Sequence, residues 1–328
     1  MAHYIGLDLG GTNIKAGIVD DAGTVLSQVS ESTGAGGRKD PQTVINELAS
    51  TADHVARLAG VQLDSVSAIG VGSPGPIDFE RGLVQAAPNM PGWENVPLRD
   101  LIAQKTGRPT FLENDANAAA MGEFWAGAGK DSTVRHMIML TLGTGIGTGF
   151  VIDGQLLRGA GGFGAEGGHM IIDIDGRQCG CGQRGCLESY SSASRTAQRA
   201  MDALNAGHES SLQAMYGVKG IVTSKDVFEA AAAGDALALR IVDETAAMLG
   251  VACVNLCRLF YPQMIVFAGG MIKAGEFLFE RVRGAYEFHD WTLSPSHVQI
   301  VPALLGNDAG FIGAAAVAAD AHQRGTLG

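Results

Sequence analysis

The chain has 328 residues, 46% apolar and 17% charged, which is enough for two domains with separate cores. Its net charge of −11 and isoelectric point near 5.1 argue against nucleic acid as the principal partner, and no basic run offsets them. No apolar stretch approaches the roughly 20 residues that span a bilayer. The longest greasy region, Ala236 to Phe260, is broken by Arg240, Asp243, Glu244, Asn255 and Arg258, so no membrane partner is expected.

The N-terminus, MAHYIGLDLGG, begins at once as a strand and leaves no room for a signal or targeting segment. Five cysteines at these spacings suit a reducing compartment and a metal site better than a disulfide framework. A cytoplasmic location is therefore expected. Residues 4–26, YIGLDLGGTNIKAGIVDDAGTVL, give a strand ending in Leu-Gly, a glycine/threonine turn, a second strand, an aspartate turn and a third strand. Next come a helix from Pro41 to Ala59, a strand from Val66 to Ser73, a helix near Pro97 to Thr106 and a strand from Thr110 to Glu113. Asn114 then opens a helix as its N-cap, with alanines to continue it.

Residues 137–157, MIMLTLGTGIGTGFVIDGQLL, repeat the opening meander with a one-residue gap. After them come a cysteine-rich loop, a mostly helical stretch from Leu187 to Phe260, and a strand from Met264 to Ala268. A helix (Ala274 to Glu287), a strand (His297 to Val301) and a final helix from Asp308 complete the chain. Strands alternating with helices after each meander predict a duplicated α/β protein with mixed sheets. The expected form is two lobes with a cleft between them, the chain crossing over near residues 114–120. The last helix is expected to pack back on the first lobe.

The turn Gly10-Gly11-Thr12-Asn13 directly follows Asp8 at a strand end, and Gly143-Thr144-Gly145 does the same in the second copy. Successive backbone N–H groups in such turns form a concave anion site, and a threonine adds a hydroxyl donor. Gly269-Gly270 ends a third strand and leads toward a helix, where nucleotides often sit. There is no G-x-x-x-x-G-K-[ST] run, so this is not a P-loop. Thr148 stands where a dinucleotide fingerprint needs its last glycine. Three glycine sites together favour a nucleotide over simple hairpin turns.

Between Glu166 and Glu188 the chain reads EGGHMIIDIDGRQCGCGQRGCLE. His169, Cys179, Cys181 and Cys186 supply the Cys₃His donor set of a closed tetrahedral zinc site, and glycines let the short loop curl its sulfurs inward. With no ligand position open, the metal is structural. Glu166, His169 and Glu188 around such a frame are candidate acceptors for sugar hydroxyls, or braces for the metal. Asp115 lies in the first turn of its helix at a sheet edge. There it either complements the helix dipole or serves as the base of a phosphoryl transfer, orienting the attacking hydroxyl.

The chain resembles the ROK family of sugar kinases, and its glucokinases in particular, over essentially its whole length. The residues that carry this are Asp8-Leu9-Gly10-Gly11-Thr12, Ser73-Pro74-Gly75-Pro76, Pro88-Asn89-Met90-Pro91-Gly92-Trp93, Glu113-Asn114-Asp115-Ala116-Asn117, Leu142-Gly143-Thr144-Gly145, Glu166-Gly167-Gly168-His169 and the cysteine run to Glu188. The resemblance implies two actin-like, ribonuclease-H-like lobes, drawn as 1–115 plus 308–328 (small) and 116–307 (large, with the zinc loop). It implies phosphorylation of glucose on its 6-hydroxyl by ATP, with Asp115 as general base. Asn89, Asn114, Glu166, His169 and Glu188 would hold the other hydroxyls, with the Gly75 backbone nearby.

Gly10 to Asn13 and Gly143 to Gly145 would cradle phosphates, Asp8 would lie near magnesium, and His169, Cys179, Cys181 and Cys186 would hold zinc. A homodimer is implied too. Thr148, where similar sequences often continue with glycine, is a departure. N-acetylmannosamine, mannose or fructose could replace glucose, and polyphosphate could replace ATP. A sugar-sensing regulator is the rival reading. The family's DNA-binding members carry a helix-turn-helix module ahead of the kinase-like part, and this chain opens directly on its first strand.

Overall fold

The computed structural model describes residues 1–11, 13–32, 40–87, 90, 92–131, 133–293 and 297–325. By packing, the chain forms two compact units: Met1–Val134 with Gly149–Ala165 and Leu304–Gly328, and Arg135–Thr148 with Glu166–Ala303.

The first unit opens with the expected meander: β1 (His3–Leu9), β2 (Asn13–Asp20) and β3 (Val25–Ser32). Helix α1 (Pro41–Leu58) follows, with proline in its first turn. Its N-cap Asp40 accepts from Thr43 N at 3.1 Å. Then come β4 (Ala68–Ser73) and three short strands, β5 (Ile77–Asp78), β6 (Leu83–Ala86) and β7 (Glu94–Val96). Helix α2 (Leu98–Thr106), β8 (Thr110–Asn114) and α3 (Asp115–Ala126) complete this part. The main sheet runs β3-β2-β1-β4-β8, with β1–β2 and β2–β3 antiparallel and β1–β4 and β4–β8 parallel. Strands β5 to β7 form a separate small sheet that the sequence pattern does not disclose. Strands of two to four residues are too short for an alternation to register.

The second copy supplies β9 (Met137–Leu142), β10 (Ile146–Ile152) and β11 (Gln155–Leu156). After the cysteine loop come α4 (Glu188–Ser191), α5 (Ala193–Asn205), α6 (Leu212–Lys219), α7 (Ser224–Ala232) and α8 (Ala236–Phe260). Strand β12 (Met264–Ala268), α9 (Glu276–His289) and β13 (Gln299–Pro302) follow, and then α10 (Ala309–Gln323). Their sheet has the order β11-β10-β9-β12-β13. That is the first sheet's order repeated, with β12 again parallel to both neighbours. The duplication read from the two meanders therefore extends to the whole sheet.

Helix α10 returns to the first unit and covers β1 and β4. Close approach there requires glycine: a Cβ at Gly6 would lie 1.7 Å from Phe311 O, and one at Gly70 1.8 Å from Ala314 O. Helix α3 crosses α10 so tightly that a Cβ at Gly313 would fall 1.6 Å from Ala118 O. This crossing ties α3 to the first unit. The packing thus draws its line after residue 134, where the sequence reading draws it at 115/116.

Candidate active site

The register of the first sheet sets Asp8 opposite Gly72, and Gly72 opposite Glu113. Gly72 has no side chain, and a Cβ built there would reach the Asp115 Cα at 4.0 Å. The row therefore leaves room for two acids on neighbouring segments. Burial, then the negative charge of Asp115, push the Asp8 carboxyl up to about 6 from its ordinary 3.8, and Lys15 opposes them. Lys15 pairs with Asp8 across β1–β2 and donates through Nζ to Asn307 O at 2.8 Å.

Asn114 caps α3 as the sequence predicts. Its Oδ1 accepts from Ala116 N at 3.0 Å and Asn117 N at 3.3 Å, and its Nδ2 donates to Gly75 O at 3.3 Å. Gly75 has φ of 88° and a Cβ there would lie 1.9 Å from Ala86 O, so only glycine fits. Asp115 follows, exposed, with Oδ1 accepting from Ala116 N at 2.8 Å. In the first turn, Gly10 N donates to Asn13 O at 2.9 Å, while Gly11 borders open space. Thr12 and Asn89 lie outside the described residues.

The pairing of Glu113 with Arg158 has no counterpart in the sequence reading. Glu113, fully buried, accepts from Arg158 Nε at 2.8 Å, Asn117 Nδ2 at 3.0 Å and Asn114 N at 3.0 Å. Arg158 Nη2 lies 2.7 Å from the same carboxylate. Burial pushes the Glu113 carboxyl up, and Arg158 opposes it. The signal available in the sequence is a glutamate directly after Phe111 and Leu112 in a strand, where a buried acid calls for a cation.

In the second unit the turn after β9 is held from two sides. Gly143 N donates to Gly145 O at 3.1 Å, Ala193 N donates to Gly143 O at 2.8 Å, and Ser194 Oγ donates to Thr144 O. Glu188 Oε2 accepts from Ile146 N at 2.9 Å, and its Oε1 lies 3.7 Å from Cys179 Sγ. Glu188 therefore links the glycine turn to the cysteine loop. Glu166 and His169 lie on one turn of 3₁₀ helix, with His169 N donating to Glu166 O at 3.0 Å. Gly167 N donates to Thr148 Oγ1 at 2.8 Å, so Thr148 fastens this turn to β10. A Cβ at Gly168 would sit 2.0 Å from Ile146 O.

His169, Cys179, Cys181 and Cys186 bring their ligand atoms within 4.8 Å of one another. Cys179 Sγ lies 3.7 Å from His169 Nδ1, and Cys181 Sγ 3.7 Å from Cys186 Sγ. A tetrahedral ion bonded at about 2.3 Å to each sulfur separates them by about 3.8 Å, so the donor set fits zinc in type and spacing. Burial pushes the Cys186 thiol up to about 12, a cost that a bound cation would reverse.

Gly269 has φ of 92°, and a Cβ there would meet Leu142 O at 2.5 Å, so it lets the end of β12 lie against the end of β9. Gly270 borders a cavity of about 420 Å³ lined by Phe228, Glu229, Met271, Lys273 and Phe277. None of these lining residues is foreseen in the sequence reading, because α7 and the segment after β12 are separated by thirty or more residues of chain.

Residues 4–321 match the ROK family. The chain belongs to that family. It is 39% identical to a glucokinase of Thermotoga maritima, over 95% of this chain and 96% of the relative. Among solved structures, the ROK hexokinase of Thermus thermophilus matches with a TM-score of 0.85 and 35% identity, over 98% of this chain and 99% of that one. A ROK glucokinase of Streptomyces griseus, solved with glucose and AMPPNP, matches with a TM-score of 0.77 and 34% identity, over 97% and 100%. The two repeated sheets of this ROK chain are thus those of the actin-like, ribonuclease-H-like fold. No helix among its described residues is long and apolar enough to cross a membrane.

Proposed function

We propose that the chain is a glucokinase that transfers the γ-phosphoryl group of ATP to the 6-hydroxyl of glucose. The observation that carries this reading is the junction from Glu113 to Asn117. It presents an exposed carboxylate on the first turn of α3, with its backbone held by the Asn114 cap and the buried Glu113 beneath. Relatives named glucokinase over nearly the full length support it.

Asp115 acts as general base. As O6 bonds to the γ-phosphorus and the bond to the β–γ bridging oxygen breaks, the hydroxyl proton passes to the Asp115 carboxylate and ADP leaves. The transition state is loose, so the carboxylate chiefly orients O6 and takes the proton late. A carboxylate at a helix N-terminus stays ionised for that task. Asn114, the Gly75 backbone and Asn89 are proposed to hold sugar hydroxyls, as are Glu166, His169 and Glu188. The turns Gly10 to Asn13, with Thr12, and Gly143 to Gly145 take the phosphates. The cavity beside Gly270, with Phe228 and Phe277 in its wall, takes the nucleotide base.

Magnesium bound with ATP would be held near Asp8 and would neutralise phosphate charge. Zinc held by His169, Cys179, Cys181 and Cys186 would fix the loop that carries the sugar acceptors, with no position open for chemistry. A homodimer is proposed for the chain in solution, to be checked by light scattering. The deciding experiment is a coupled kinase assay over glucose, mannose, fructose and N-acetylmannosamine, with ATP and with polyphosphate. The highest kcat/KM is expected for glucose with ATP, and the reading is wrong if no hexose is phosphorylated.

A further inference from the structure

On the flank of the cysteine loop, within the second unit, lies a cavity of about 210 Å³ that the proposed reaction does not use. Arg177 and Gln178 of the loop, Ser189 of α4, and Arg195, Arg199 and Asp202 of α5 line it. Three guanidinium groups thus face one cavity against a single lining carboxylate, Asp202, whose Oδ1 accepts from Gln198 Nε2 at 2.7 Å.

Arg199 is 4% exposed, and its outer nitrogens reach Ile241 O at 2.8 Å and Glu244 Oε2 at 2.8 Å. Its Nε has no partner among the described residues, and neither has the Oγ of Ser189, which is 2% exposed. Burial works against the Arg199 charge, Glu244 supports it, and the nearby charge of Arg177 opposes it again. Native proteins seldom leave buried donors unpaired, and such groups call for an occupant. The side chains of Arg177 and Arg195 have no hydrogen bond or ion pair to any described residue. Their backbones are nonetheless fixed: Arg177 N donates to Tyr190 Oη at 3.0 Å, and Arg195 N to Ser192 Oγ at 3.3 Å.

We propose that this cavity is a binding site for a phosphoryl dianion, either inorganic phosphate or the phosphate of a phosphoester, held by Arg177, Arg195 and Arg199 with Ser189. Arginine forks match the oxygens of such a group two at a time, which chloride cannot reproduce. The volume admits a tetrahedral anion together with several waters or part of an ester substituent. Helix α5 begins at the residues that hold the Gly143 turn, through Ala193 N to Gly143 O at 2.8 Å. An anion that joins α5 to the cysteine loop therefore braces two segments on which the proposed nucleotide and sugar sites depend.

The test is calorimetric titration of inorganic phosphate into the zinc-loaded full chain, with glucose and a non-hydrolysable ATP analogue present at saturation. Wild-type protein is expected to bind one phosphate per chain. Arg195→Gln and the double variant Arg177→Gln/Arg195→Gln are expected to bind it at least tenfold more weakly with unchanged circular dichroism. Glucose 6-phosphate in place of inorganic phosphate separates the sources: tighter binding that is lost in the double variant assigns a phosphoester, and weaker binding assigns the free ion. Wild-type affinity in both variants overturns the site. So does an equal heat from potassium chloride at matched ionic strength. The comparison between variants reads the same whether or not the chain phosphorylates glucose.

Discussion

Arg158 and Glu113 form an ion pair at 2.7 Å in which the acid is fully buried while the arginine side chain is partly exposed. The acid also accepts from Asn114 N and Asn117 Nδ2, so the pair fixes the strand-to-helix junction that carries Asp115. Removing the cation strands a buried carboxylate. Arg158→Met should therefore destabilise the first unit by about 3–5 kcal/mol, read from urea unfolding. Glu113→Gln keeps the shape and should cost less. Equal stability of Arg158→Met and wild type would contradict the clamp.

Asp115→Ala is expected to lower kcat by about 10²–10⁴, the usual span of general base catalysis. The KM for ATP should change little, because the residue acts on the acceptor hydroxyl. Asp115→Asn keeps the cap region intact and should be as inactive. A variant with near-normal turnover would assign the base elsewhere.

Asp8 makes a pH prediction with a definite sign. Its folded pKa of about 6 lies above the ordinary 3.8, so the folded state binds the proton more tightly than the unfolded chain does. The stability this contributes is fully present below about pH 4 and is lost as pH rises toward 6. Asp8→Asn should flatten that part of the stability curve and raise stability at pH 7 on the order of 3 kcal/mol. It should also impair turnover if magnesium is held there. Asp115→Asn should move the same inflection to lower pH, because the neighbouring negative charge that helps raise Asp8 disappears. Denaturant midpoints from pH 4 to 8 check both.

Chelation tests the cysteine loop. One zinc per chain is expected, released by a thiol-modifying reagent and counted by a colorimetric dye. Structural zinc contributes on the order of 10 kcal/mol to local folding, so metal removal should loosen the loop. It should also raise the KM for glucose more than that for ATP, since Glu166, His169 and Glu188 are mounted on the loop and its edges. Cys181→Ser should reproduce this in part. A metal-free preparation with unchanged kinetics would rule out the zinc assignment.

Gly168→Ala tests the seat of the Glu166–His169 turn. The added Cβ would fall 2.0 Å from Ile146 O, a backbone atom that cannot swing aside. The turn must shift, and the KM for glucose should rise at least tenfold while zinc content stays at one per chain. Unaltered glucose affinity would separate this turn from sugar binding.

Local chemistry by itself determined much of this protein. Asn114 caps its helix because a short amide side chain followed by alanines can do little else, and the strand at Met264–Ala268 begins and ends where its apolar run does. The convergence of His169, Cys179, Cys181 and Cys186, whose ligand atoms lie within 4.8 Å of one another, was legible because glycines let a short polar loop curl its thiols inward. The repeat was legible because two meanders with the same turns demand the same sheet.

Only the tertiary structure decided which distant residues answer one another. Arg158 reaches Glu113 across 45 positions, Glu188 reaches Ile146 across 42, and α10 closes on β1 from the far end of the chain. Helical and strand periodicity report which face of an element is buried. They do not report what covers it, because packing and charge pairing act through space, and the chain's own order carries no record of those distances.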